Sequence, residues 1–221
     1  MKLRDKTMRS LFIGVLKTGG GTLVNLIVGV LSMKIMAVLL GPSGTGLFSL
    51  LRQMLSLMSS MGSGGQTAIV QGVANRDGLR QKSYITSTFW LMLSAAVASV
   101  LCLSFFAEEI SFFIFGSADI RQVQLVQWSA TPLFLLYIHI YLKAVLNGFR
   151  AIGRLAIIET LGPILILVVT YPVCVLVAGG YALAFVWMLS LAELLMIAAS
   201  LIILYKGGYL PNPLVGVRKM V

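Results

Sequence analysis

Long apolar stretches, separated by short polar or glycine-rich breaks, set the pattern of this chain. The first runs over about 11–40 and meets a turn at Gly41-Pro42-Ser43-Gly44. The second covers about 45–74 and is followed by a polar loop from Asn75 to Lys82. A third, about 83–107, ends at Glu108-Glu109. A short apolar stretch with Gly116 and Asp119 leads to the fourth, about 123–146, which holds Pro132. The loop from Asn147 to Arg154 precedes a fifth, about 155–178, and Gly179-Gly180 turns the chain into a sixth, about 181–205. A bilayer-spanning helix needs roughly 20 apolar residues. The pattern therefore predicts an all-α, polytopic bundle of about six membrane helices, with 1–221 forming a single lobe.

Composition supports this class. The chain is 58% hydrophobic and 11% charged, where soluble domains carry about a quarter charged residues. A net charge of +10 would suit a nucleic-acid binder, but its distribution does not. Twelve of the 17 Lys and Arg residues fall in four patches: the N-terminal segment with Lys2, Arg4, Lys6 and Arg9; the loop with Arg76, Arg80 and Lys82; the loop with Arg150 and Arg154; and the tail with Lys206, Arg218 and Lys219. The alternate connections hold Glu108, Glu109, Asp119 and Arg121, or no charge. Such alternation predicts both termini in the cytoplasm, with some attraction to anionic membrane lipids and no nucleic-acid partner. The first residues mimic a signal peptide, but Lys17 interrupts the apolar stretch and no small-residue cleavage site follows, so the segment is expected to be retained. Cys102 and Cys174 lie in apolar runs and read as small buried hydrophobes.

The opening helices are long. Thirty residues make about 45 Å against a hydrocarbon core of about 30 Å, so they must tilt, bend or protrude. Glycines 19–21 and Gly62-Ser63-Gly64-Gly65 stand at similar depths on the two sides of the turn. They read either as paired flexible points or as sites of close helix packing.

At 100° per residue, Ser49, Arg52, Ser56, Ser59, Ser63 and Gln66 share one face of the second segment, within about 60° of Arg52. A hydroxyl-rich stripe with one Arg belongs against protein or a water-filled cavity; the alternative is serine packing with Arg52 snorkelling to the outer interface. Lys17, Asn25 and Ser32 form a weaker stripe on the first segment, whereas Lys34 points away. Lys17 and Lys34 also have a snorkelling explanation. Glu159, beside Arg150 and Arg154 in the sequence, reads as a local ion pair with them. Glu193 falls mid-segment, where an ionised carboxylate is costly; His139 and Lys143 are its candidate partners. Glu193 with His139 could couple transport to a proton or cation, or form a structural hydrogen bond. No enzyme signature is present. Gly41, Gly44 and Gly46 lack the Gly-Lys-Ser/Thr ending of a phosphate loop, the lone His139 cannot build a metal site, and no cofactor is expected.

Several stretches, taken in order, resemble the O-antigen and enterobacterial common antigen flippases, the Wzx-type polysaccharide transporters of the multidrug/oligosaccharidyl-lipid/polysaccharide exporter superfamily. They are 16–46, with the turn Leu40-Gly41-Pro42-Ser43-Gly44-Thr45-Gly46 followed by Arg52-Gln53; Leu146-Asn147-Gly148-Phe149-Arg150; and Gly179-Gly180-Tyr181. The resemblance implies flipping of undecaprenyl-pyrophosphate-linked oligosaccharide across the bacterial inner membrane, in lipopolysaccharide and other surface polysaccharide synthesis. It also implies a cation-lined cavity between two lobes working by alternating access. Arg52 and, less directly, Lys17 carry over as headgroup ligands, with Asn25, Ser56, Ser63 and Gln66 lining the cavity. Members usually have about twelve or more helices, so this chain matches the first lobe only. The expected partner is a second lobe or another copy of the chain, and a truncated frame is the alternative. Two other functions stay open: export of a different cargo such as a cationic drug, and a non-transporting membrane component or inactive fragment.

Overall fold

A computed structural model describes the backbone over 2–207, and the side chains over 21–207 apart from 61, 63 and 152. The described residues form helices and turns, with no strand. One helical run, Lys2–Ala74, departs from helical geometry at Gly41, with φ 68° and ψ −168°. Side chains disfavour that region and glycine tolerates it. Pro42 follows, which suits the first position of a new helix because it has no N–H to leave unpaired. The two arms fold back on each other, since Met33 lines a cleft together with Ser49, Arg52, Gln53 and Ser56. We call the arms α1 (2–40) and α2 (42–74). The predicted four-residue turn is thus only one residue wide. Both glycine clusters remain helical.

The remaining helices are α3 (Gly78–Phe105), α4 (Ala107–Phe115), α5 (Ile120–Trp128), α6 (Ala130–Gly148), α7 (Ile152–Ala178) and α8 (Ala184–Lys206). Among the described residues, five stretches are long and apolar enough to cross a bilayer: Gly21–Ser60, Gly78–Phe105, Ile120–Gly148, Gly153–Ala178 and Ala184–Lys206. The first contains the Gly41 reversal. The polar loop expected from Asn75 to Lys82 shrinks to three residues, because Gln81, Tyr84 and Arg76 bond back to the end of α2. Gln81 Nε2 donates to the Val73 carbonyl at 2.7 Å, Tyr84 OH to Ala68 at 3.0 Å and Arg76 Nη1 to Gly72 at 3.0 Å. The bonds to Val73 and Gly72 satisfy carbonyls that a helix end leaves open, and the bond to Ala68 ties α3 to the turn before them. The short apolar stretch before the fourth segment is α4, which exposes Phe112 and Phe113.

Helices α5 and α6 form one bent element. Pro132 has no N–H and crowds the preceding turn, and the bend falls at Ser129. There the Ser129 hydroxyl donates to the Leu125 carbonyl at 2.7 Å. This element is the centre of the bundle: 56% of its most apolar stretch is buried, against 17–33% in the others. Helix α6 packs on the α1–α2 pair, on α3 and on α8.

Two of the turns have the same construction. After α7, Tyr181 N–H donates to the Leu176 carbonyl and Gly180 N–H to Val177, with Gly180 at φ 93°. After α6, Ala151 N–H donates to Leu146 and Arg150 N–H to Asn147, with Arg150 at φ 56°. Both are Schellman caps. The second holds an arginine at the left-handed position that glycine usually fills, at a cost of about 1 kcal/mol.

Cys174 is buried, but Cys102 is exposed on α3. The expectation that both are buried is therefore corrected for Cys102. An apolar run in a membrane helix has a lipid-facing side as well as a packed one, and run membership does not say which side a residue takes.

Candidate functional site

A cavity of about 490 Å³ lies between α1, α2, α6, α7 and α8. Each helix contributes one face to it. Arg52, Leu55, Ser56 and Ser59 come from α2, and Pro132, Leu136, His139 and Lys143 from α6. Helix α7 supplies Glu159 and Gly162, α8 supplies Ala192 and Glu193, and α1 supplies Asn25. The spacings of three and four are those of a helix stripe.

Its wall is unusually polar for an apolar bundle. His139 Nδ1 and Glu193 Oε2 stand 2.7 Å apart, with both side chains largely enclosed. Lys143 Nζ lies 2.5 Å from Glu159 Oε1, each side chain about one-third exposed. Among the described residues, Arg52 has no carboxylate partner. Among the described residues, two buried polar atoms, His139 Nε2 and Asn25 Oδ1, have no hydrogen-bond partner.

The polar groups are layered along the bundle axis. Gly148 of α6 abuts Val73 of α2, so these helix ends are level. At 1.5 Å per residue, Lys143 lies about 8 Å above that level, His139 about 13 Å and Arg52 about 31 Å. Lys143 and Glu159 are therefore nearest the end that carries the basic loops.

Arg52, Ser56 and Asn25 line the cavity. Gln66 does not. One turn before it, Gly62 meets the Tyr137 ring so closely that an added Cβ would lie 2.4 Å from Cε1. Helices α2 and α6 touch there. At Gly62 the glycine cluster is a packing site. The side chains of Lys17 and Ser63 lie outside the described ones. Lys34 is exposed and off the cavity wall.

The expected pairing of Glu159 with Arg150 and Arg154 is corrected: Glu159 pairs with Lys143. Neighbours across a turn are close in sequence, but α6 and α7 run antiparallel, which brings Lys143 alongside Glu159. Lys143 and Glu159 are therefore the cavity residues that sequence reasoning assigned elsewhere. The signal that could have placed Lys143 is its four-residue spacing from His139, which puts both on one face of α6.

Over 203 residues, 88% of this chain, the sequence is 32% identical to the Lipid III flippase of Escherichia coli (strain K12), and equally to that of Shigella flexneri. No protein-family model matches the chain, nor does any solved structure. The aligned region is 46% of each relative, so the chain spans about half the length of the curated relatives it matches, and its similarity is to part of a membrane flippase.

Proposed function

We propose that this chain forms one lobe of a transporter that flips a lipid-linked oligosaccharide across the bacterial inner membrane. In this reading the pyrophosphate headgroup is held in the cavity and Arg52 is its principal ligand. The observation that carries it is Arg52, a cavity-lining guanidinium with no carboxylate partner among the described residues, on a hydroxyl-bearing helix face. A planar guanidinium presents paired donors that match phosphate oxygens, which a lysine ammonium cannot reproduce. The similarity to lipid flippases supports transport rather than catalysis. The finer assignment, to undecaprenyl-pyrophosphate-linked units of surface polysaccharide such as O-antigen, rests on the Wzx-type resemblance.

The cavity is lined by one lobe here, and relatives of about twice the length make a second lobe or a second copy the proposed partner. Treating Gly21–Ser60 as two arms gives six spans, with the basic loops and both termini on the cytoplasmic side. A cysteine placed at Ala151 should then resist membrane-impermeant maleimide in intact cells; labelling from outside would reverse the orientation. The His139–Glu193 pair is the proposed coupling site, because a buried acid–base pair beside the cargo space can exchange a proton as the cavity changes exposure.

The export test uses a flippase-deleted strain carrying this chain with its second lobe. Surface polysaccharide is measured at matched protein levels. Arg52→Ala should abolish export, and Arg52→Lys should reduce it several-fold. Wild-type output from Arg52→Ala would end the headgroup assignment.

A further inference from the structure

The two ion pairs on the cavity wall differ in one respect that matters for an anionic cargo. His139 and Glu193 are enclosed, with side chains 10% and 17% exposed. Lys143 and Glu159 are 33% and 34% exposed, and both line the cavity. Their accessible surface therefore includes cavity surface. Separating a partly exposed pair is inexpensive, whereas opening an enclosed one strands a charge. Lys143 is also the cavity cation nearest the basic end, about 24 Å along the axis from Arg52. A pyrophosphate is only a few ångströms across, so it meets the two cations in turn.

We propose that Lys143 is the receiving ligand for a phosphate-bearing lipid headgroup, and that Glu159 occupies it until the headgroup takes its place. The proposal rests on the headgroup reading of the cavity. Glu159 mimics the cargo: its carboxylate offers Lys143 the same charge-assisted hydrogen bond that a phosphate oxygen would. The pair keeps Lys143 positioned and neutralised when the cavity is empty. It also sets a threshold, because a ligand with a single weak negative charge gains little by displacing a carboxylate at 2.5 Å, whereas a pyrophosphate brings several oxygens and more charge. Helices α6 and α7, joined by the short turn at Arg150, carry the two halves of the pair. Breaking it frees the α6–α7 contact on the cavity side at the moment of loading.

The test is binding of a fluorescent polyprenyl pyrophosphate to the full chain in phosphatidylcholine nanodiscs. Inorganic pyrophosphate is the headgroup-only competitor, and a second set of discs contains phosphatidylglycerol. Glu159→Gln should bind the probe about two- to fivefold more tightly, the factor that a partly exposed ion pair is worth. Lys143→Gln should weaken binding, and adding Glu159→Gln to it should change nothing further. Inorganic pyrophosphate should compete with the probe, and phosphatidylglycerol should not. Thermal unfolding of each variant separates a folding defect from a binding change. Unchanged or weaker binding by folded Glu159→Gln overturns the proposal. So does a gain from Glu159→Gln that persists without Lys143, or equal competition by phosphatidylglycerol. If Arg52→Ala abolishes binding but Glu159→Gln has no effect, only the Lys143–Glu159 exchange falls. If the wild-type chain does not bind the probe, the headgroup reading falls and takes the exchange with it.

Discussion

Helix α6 has two faces that solve opposite problems. One face packs closely against the neighbouring helices. Leu133, Ala144 and Tyr137 are fully buried there, and Gly148 and Gly62 let backbones approach closely. Its polar atoms are satisfied: Tyr137 OH donates to the Met58 carbonyl at 3.0 Å, lies 2.8 Å from Ser99 Oγ, and is joined by Tyr141 OH donating to Ile85 at 2.7 Å. The other face, a third of a turn away, presents His139 and Lys143 to a cavity. In lipid, where apolar burial drives little association between helices, close packing and satisfied hydrogen bonds must hold the bundle. The dry face supplies these, and the cavity face can then carry its polar and charged groups.

Breaking the dry face should have the largest effect. Gly62→Val would push branched carbon into the Tyr137 ring, and overpacking of this kind costs about 2–3 kcal/mol. We expect a lowered unfolding midpoint in detergent and a large fall in membrane-inserted protein. A variant as stable as wild type would mean that α2 and α6 do not touch at this level. Changing the cavity face should cost far less stability and more function. Glu193→Gln keeps a hydrogen-bonding group opposite His139 but removes the carboxylate. Its unfolding midpoint should move by the equivalent of about 1 kcal/mol or less, while export loses its response to collapse of the proton gradient. Export that still tracks the gradient would reduce the pair to a structural bond.

How far the sequence reveals these faces depends on the residue. The 100° arithmetic on α2 needs only local periodicity, and it gathers Arg52, Ser56 and Ser59, which share the cavity wall. Gln66 satisfies the same arithmetic yet does not line the cavity, because periodicity gives direction but not where the neighbouring helices leave space. The partner of Glu159 was out of reach for a related reason. Arg150 and Arg154 are nearer in sequence, but the register of α6 against α7 decides, and that register is set by packing. The Gly41-Pro42 reversal was legible because glycine and proline act locally. The two faces of α6 were not, since the helix is apolar nearly all round and only its neighbours distinguish a dry side from a wet one.

The central claim is that the Arg52 face of α2 borders a water-filled space that admits an anionic headgroup. The direct measurement is thiol accessibility in a chain with Cys102 and Cys174 replaced by alanine. Single cysteines are placed at Ser56, on the cavity wall, and at Ala144, on the dry face, and treated with a small charged thiosulfonate. Position 56 should be modified rapidly, with the rate slowed severalfold by polyprenyl pyrophosphate, and position 144 essentially not at all. Equal rates at the two positions, or modification at 56 that the lipid leaves unchanged, would contradict the claim.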